Sequence, residues 1–178
     1  MLSKDKILQN LKRLGELLEA QNMHGELLLT GGAAMCLVHS ARDMTKDIDA
    51  LYEPKDLINK LSAIIAGENN LPEDWLNDSV KGFVGSNAPV DEFIDFDGLK
   101  ITVVSPEYLL AMKLMSARYG EKDNEDIRFL LNKLEIQTED EAFEILTKFF
   151  PAERIMPKTV YLLNEYFDES EDEDDLEF

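Results

Sequence analysis

Apolar residues recur along the chain with two spacings, and the changes between them outline the fold. Ile7, Leu11, Leu14 and Leu18 stand at helical spacing with lysine, glutamine and glutamate between them, which predicts an amphipathic helix over residues 4–21. Glu26 to Thr30 is a short apolar run ended by Gly31-Gly32, the pattern of a buried strand. Ala33 to His39, small and apolar, reads as a helix packed on the sheet. The polar connection SARDMTK leads to a second strand, Asp47 to Tyr52, whose odd and even members face opposite ways. Pro54 opens a helix through about Ala66 with Leu57, Ile58, Leu61, Ile64 and Ile65 as its apolar face. Ser79 to Val84 is read as a short strand. Phe93 to Phe96 and Leu99 to Val104, joined by Asp97-Gly98, give the pattern of a hairpin with a type I′ turn. Ser105-Pro106-Glu107 starts a helix, and further helices are predicted over 106–119, 123–134, 139–150 and 157–167. Thr138-x-x-Glu141 supplies a capping box for the third of these.

The expected fold is therefore α/β (α+β): a small mixed sheet flanked by helices, with a helical appendage after it. Residues 1–104 form the α/β core, 105–167 a C-terminal helical region packed on it, and 168–178 a disordered acidic tail. A run such as DESEDEDDLE cannot bury enough apolar area to offset the entropy of ordering it.

Charge narrows the function. The 178 residues carry 18 basic and 37 acidic side chains, a formal net charge of −19. Such a field repels polyanions at long range and excludes general DNA binding, while a local basic patch stays compatible with it. One cysteine, Cys36, makes no internal disulfide and fits a small buried hydrophobe. The N-terminus has no apolar core of signal-peptide type, and no apolar stretch is long enough to span a bilayer. The chain reads as cytoplasmic, with no membrane partner. His24 and His39 are isolated, so zinc spacing is absent.

The chemistry concentrates between residues 31 and 49. Asp47 and Asp49, two apart on a strand, put their carboxylates on one face, where they suit a hard cation such as Mg²⁺ or Mn²⁺. Such a cation takes the rest of its shell from water and substrate phosphates. Gly31 and Gly32, at a strand–helix junction, let backbone approach a triphosphate with no Cβ in the way.

LTGGAAM followed by TKDIDALY, with fourteen residues between Gly32 and Asp47, resembles the signature of the polymerase-β-like nucleotidyltransferases. Within that superfamily the chain is most similar to the bacterial AbiEii-like and DUF6036-type proteins. The blocks that carry this are Arg42-x-x-Thr45-Lys46-Asp47-Ile48-Asp49, Trp75 to Phe83 (WLNDSVKGF) and Ser105 to Leu114 (SPEYLLAMKL). Arg118, Lys122-Asp123 and Asp126-Ile127 follow in order, so the likeness covers roughly residues 26–131.

The resemblance implies a third carboxylate that completes the metal site and helps activate an attacking hydroxyl. Asp78, in the WLND block, is favoured over Asp95, so the catalytic and metal set is Asp47, Asp49 and Asp78. It also implies that Lys113 reaches the triphosphate, with Gly31 and Gly32 binding nucleotide beside it, Glu107 orienting Lys113 or favouring its helix start, and Arg42 and Lys46 near the phosphate entrance. The implied activity moves a nucleoside monophosphate from an NTP to a hydroxyl of an acceptor protein or tRNA. The implied setting is a toxin–antitoxin or phage-defence pair, with a cognate toxin or antitoxin as partner. A non-catalytic antitoxin or regulatory module on the same fold is the alternative reading.

Overall fold

The computed structural model describes residues 1–85, 87–116 and 121–174. It is a mixed α/β structure that divides into two compact units, Met1–Ser105 and Pro106–Phe178.

In the first unit the elements are β1 (Leu2–Ser3), α1 (Lys4–Glu19), β2 (Gly25–Leu29), α2 (Gly31–Leu37), β3 (Met44–Thr45), β4 (Ile48–Glu53), α3 (Lys55–Asn69), β5 (Leu76–Asn77), β6 (Val90–Phe96) and β7 (Leu99–Val104). The main sheet has the order β5-β4-β2-β7-β6, and β1 pairs separately with β3. β2 runs antiparallel to β4 and parallel to β7, β4 runs parallel to β5, and β6 and β7 form the hairpin. Ser79 to Gly82 forms a turn of 3-10 helix, not the strand expected over 79–84. The strand next to β4 ends two residues earlier, because the buried Trp75 and Leu76 set its apolar register.

The register assigns each side chain a face. Leu27 lies opposite Tyr52 and beside Ile101, and Leu29 lies opposite Ala50 and beside Val103. All six are buried and face α1 and α3. Ile7, Leu11, Leu14 and Leu18 of α1 are fully buried, and α3 buries Ile58, Leu61, Ser62, Ile65 and Ala66. That stripe follows i, i+3, i+4, i+7, i+8, which leaves Ile64, expected inside, half exposed at 50%. The fully buried Trp75 ties the sheet edge to α3, its indole N–H donating to the Ser62 carbonyl at 3.0 Å. Glu26, Leu28, Asp49, Leu51, Glu53, Lys100 and Thr102 take the other face, where none is fully buried.

Gly15 and Gly98 lock α1 onto the hairpin. A Cβ at Gly15 would stand 2.6 Å from the Asp97 carbonyl oxygen, and one at Gly98 would stand 2.4 Å from the Gly15 carbonyl oxygen. Gly98 has φ +77° while Asp97 does not enter the positive-φ region, so the turn is not type I′.

The second unit contains α4 (Pro106–Ser116), α5 (Glu121–Lys133), α6 (Glu139–Phe149) and α7 (Pro157–Asp174). The capping box forms as expected, with Thr138 accepting from the Glu141 N–H and Glu141 accepting from Thr138. Tyr108 of α4 packs between Phe149 and Phe150, with ring centroids 5.0 and 6.1 Å away. The Thr159 hydroxyl donates to the Leu114 carbonyl at 3.3 Å and ties α7 to α4. α7 runs on to Asp174, into the stretch expected to be disordered from residue 168. Extending a formed helix adds one hydrogen bond per residue fixed, which is far easier than nucleating one, and glutamate is a good helix former. Residues 175–178 of the expected tail lie outside the described residues.

Gly15→Ala tests the lock between α1 and the hairpin. Alanine favours an exposed helix by about 1 kcal/mol over glycine, but here its Cβ meets backbone that cannot yield. The substitution is expected to lower stability by about 1–3 kcal/mol, as overpacking does, with urea unfolding as the measurement.

Candidate functional site

Thr30 follows β2, and its backbone N–H and its hydroxyl both donate to the Asp49 carbonyl, each at 3.0 Å. The chain then turns through Gly31 at φ +53°. A Cβ there would lie 3.1 Å from Asp49 Oδ2, so glycine serves both the backbone angle and the close approach of the carboxylate. A Cβ at Gly32 would stand 2.6 Å from Thr45 Oγ1, and the Thr45 hydroxyl donates to the Asp47 carbonyl at 3.2 Å. The glycine pair and both aspartates thus form one cluster, held by the β2–β4 pairing and by Thr45.

The two carboxylates differ in their partners. Ser79 Oγ donates to Asp49 Oδ1 at 3.0 Å. Among the described residues no side chain donates to Asp47. Burial pushes the Asp47 carboxyl above its ordinary range, and the charge of Asp49 pushes it the same way. Lys46 and Asp47's own backbone N–H oppose this, while Asp74, a group the sequence reading overlooked, adds to it. A partly buried carboxylate without a side-chain partner, next to a second carboxylate, fits a hard divalent cation. Asp47 and Asp49 would hold it.

Asp78 does not join them. The parallel register sets Asn77 beside Asp49, so the next residue turns to the opposite face. There Asp78 pairs with Lys55, whose hydrogen bond holds its carboxyl below the usual range, and its charge reaches Tyr52 on the helix-covered face. Asp95 is further away. It lies level with Lys100, Glu26 and Glu53, at the opposite end of the sheet from Asp49. Three strand spacings, about 14 Å, also separate β6 from β4. Among the described residues no three His, Cys, Asp or Glu side chains converge on a metal position. Among the described residues the place beside Asp49 on β5 is taken by Asn77, and Asp78, just past the strand, meets Lys55 instead.

Lys113 belongs to the helical unit. Its ammonium pairs with Asp126 at 2.8 Å, the two side chains being 12% and 4% exposed. Glu107, considered as its orienting group, instead meets Lys148 at 2.6 Å. Arg42 is half-buried, with Nη1 3.5 Å from where a Gly32 Cβ would stand, and Lys46 is exposed. Arg118 and the side chains of Lys122 and Asp123 lie outside the described residues. On the open sheet face, two positions along β4 from Asp49, a shallow cavity of about 390 Å³ is lined by Leu28, Leu51, Glu26, Glu53, Lys100 and Thr102. Lys100 is paired with Glu92 at 2.8 Å.

Two stability measurements follow. A carboxyl whose folded pKa is raised destabilises the fold as pH climbs from its unfolded value, 3.8, through the folded one. Asp47→Asn should therefore raise the melting temperature at neutral pH, and the gain should vanish once the pH falls below about 3.8. Lys113→Met takes a charged partner away from the buried Asp126 and should cost about 3–5 kcal/mol, as broken buried pairs do. The double variant Lys113→Met with Asp126→Leu should recover most of that in chemical unfolding.

No curated protein and no solved structure matches the chain. A family model does, described as nucleotidyltransferase of unknown function (DUF6036), over residues 6–154 of the 178. That span takes in the glycine turn, the paired aspartates, the Asn77–Ser79 turn and the helices through α6. The chain belongs to the DUF6036 family of nucleotidyltransferases.

Proposed function

We propose that this chain is an Mg²⁺- or Mn²⁺-dependent nucleotidyltransferase that moves a nucleoside monophosphate from an NTP to a protein hydroxyl. The observation that carries the reading is the pair Asp47 and Asp49, set against bare glycine backbone at Gly31-Gly32. Asp47 and Asp49 would hold the cation, and Gly31 lets the Asp49 carboxylate lie close along the turn where the phosphates would meet that cation. When bound, the cation neutralises phosphate charge that grows in the transition state. The acceptor oxygen bonds to the α-phosphorus, the bond to the β-phosphate oxygen breaks, pyrophosphate leaves, and the acceptor proton passes to solvent.

Charge favours protein over tRNA as acceptor. Glu26 and Glu53 line the cavity farther along the same sheet face, and its one lysine, Lys100, is already paired with Glu92. A tRNA end would bring further negative charge to this face, whereas a peptide with an apolar residue and a basic neighbour would complement it. No described helix is long and apolar enough to cross a membrane. A toxin–antitoxin or phage-defence pairing remains the setting the resemblance implies.

A specific observation favours a second reading, a binding module without catalysis. Asp78 is committed to Lys55, and no described group of three carboxylates converges on the site.

Label transfer from the four α-³²P nucleoside triphosphates, offered separately to cell protein and to total tRNA, distinguishes these. Label is expected in protein, to be lost with EDTA, and to fall by at least about 100-fold in Asp47→Ala and in Asp49→Ala, since each removes a ligand. Asp78→Asn and Asp95→Asn should keep activity. Label in tRNA alone would reverse the acceptor. No label in either, with metal binding intact, would establish the second reading.

A further inference from the structure

We propose that Ser79 is a positioning residue for Asp49: its hydroxyl fixes the carboxylate in the orientation that meets the cation. The proposal rests on the reading of Asp47 and Asp49 as the cation site. Asp49 is fixed at three points. Its carbonyl accepts from Thr30 twice, its Oδ2 lies along Gly31, and its Oδ1 accepts from Ser79 Oγ at 3.0 Å. Removal of Ser79 Oγ leaves the first two in place and frees the carboxylate to rotate about its last bond.

Ser79 is itself held in place. Asn77, the register partner of Asp49, accepts the Ser79 backbone N–H on Oδ1 at 3.0 Å, a local turn that starts the 3-10 segment Ser79–Gly82. Asn77 Nδ2 donates to the Asp74 carbonyl at 3.4 Å, which anchors the amide from the other side. A serine hydroxyl has one proton to donate, and here it goes to Asp49. The turn after β5 therefore meets Asp49 with a neutral donor. Its contribution is orientation without added charge, in a site where two carboxylates already crowd each other.

Ligating carboxylates are themselves hydrogen-bonded, and loss of such a partner costs about 10–100-fold in metal affinity. The experiment measures Mn²⁺ alone binding to the full chain, with free Mn²⁺ followed by electron paramagnetic resonance and no nucleotide present. Ser79→Ala should weaken binding by about 10-fold with an unchanged melting temperature, because Ser79 is exposed. Ser79→Thr keeps the hydroxyl and should bind as the wild type does, a rescue that a packing role would not give. Asp49→Asn is the reference for loss of the ligand. Wild-type affinity in Ser79→Ala, with binding lost in Asp49→Asn, would overturn the Ser79 assignment and leave the cation site standing. Failure of the wild type to bind, or equal binding by Asp49→Asn, would overturn both.

Discussion

The antiparallel pairing of β2 with β4 is the constraint on which the rest depends. It places Thr30 against Asp49, so that one carbonyl takes two hydrogen bonds just where the chain leaves the sheet for the glycine turn. A slip of one residue would move Asp49 to the helix-covered face and bring Leu51 with it. The buried set Leu27, Leu29, Ala50 and Tyr52 opposes any such slip, because its members would lose the apolar environment given by α1 and α3. Core packing thus fixes where the two carboxylates point. Fold and site have the same determinant.

That placement is costly in the free protein. Asp47 and Asp49 share a face, and Asp47 is partly removed from water with no side chain donating to it among the described residues. A domain selected for stability alone would put a neutral residue there. The cost is the kind expected where a bound cation offsets the crowding. By contrast Asp78, which looked equivalent in the sequence, meets Lys55, whose hydrogen bond holds its carboxyl below the usual range. Asp78 stands one residue past Asn77, the register partner of Asp49, and that single step takes it to a different partner.

Most of the helices and the β2, β4 and hairpin strands were legible, because their apolar spacing is regular and their ends carry glycine, proline or a capping box. The glycine turn and the Asp47–Asp49 pair were legible for the same reason: both are local patterns. The rest depends on contacts distant in sequence. β5 is two residues long and is set by Trp75 seating against α3, which no periodicity reveals. Its register decides that Asn77 neighbours Asp49, that Ser79 reaches it and that Asp78 turns away. The sequence does contain one usable sign, since Asn77-x-Ser79 is the spacing of a side-chain-capped turn. Lys113 was placed at the nucleotide by resemblance, and its partner Asp126 lies one helix later on a matching face. α7 outran its apolar pattern because an existing helix propagates through acidic residues.

The central claim is that Asp47 and Asp49 form a cation site that receives a triphosphate against Gly31-Gly32. Anomalous diffraction from crystals grown with Mn²⁺ and a non-hydrolysable nucleoside triphosphate addresses it directly. The account predicts an Mn²⁺ peak between the two carboxylates, with the phosphates beside the glycine turn and Asp78 still paired with Lys55. An Mn²⁺ peak and triphosphate lodged elsewhere, with the Asp47–Asp49 face empty, would contradict it.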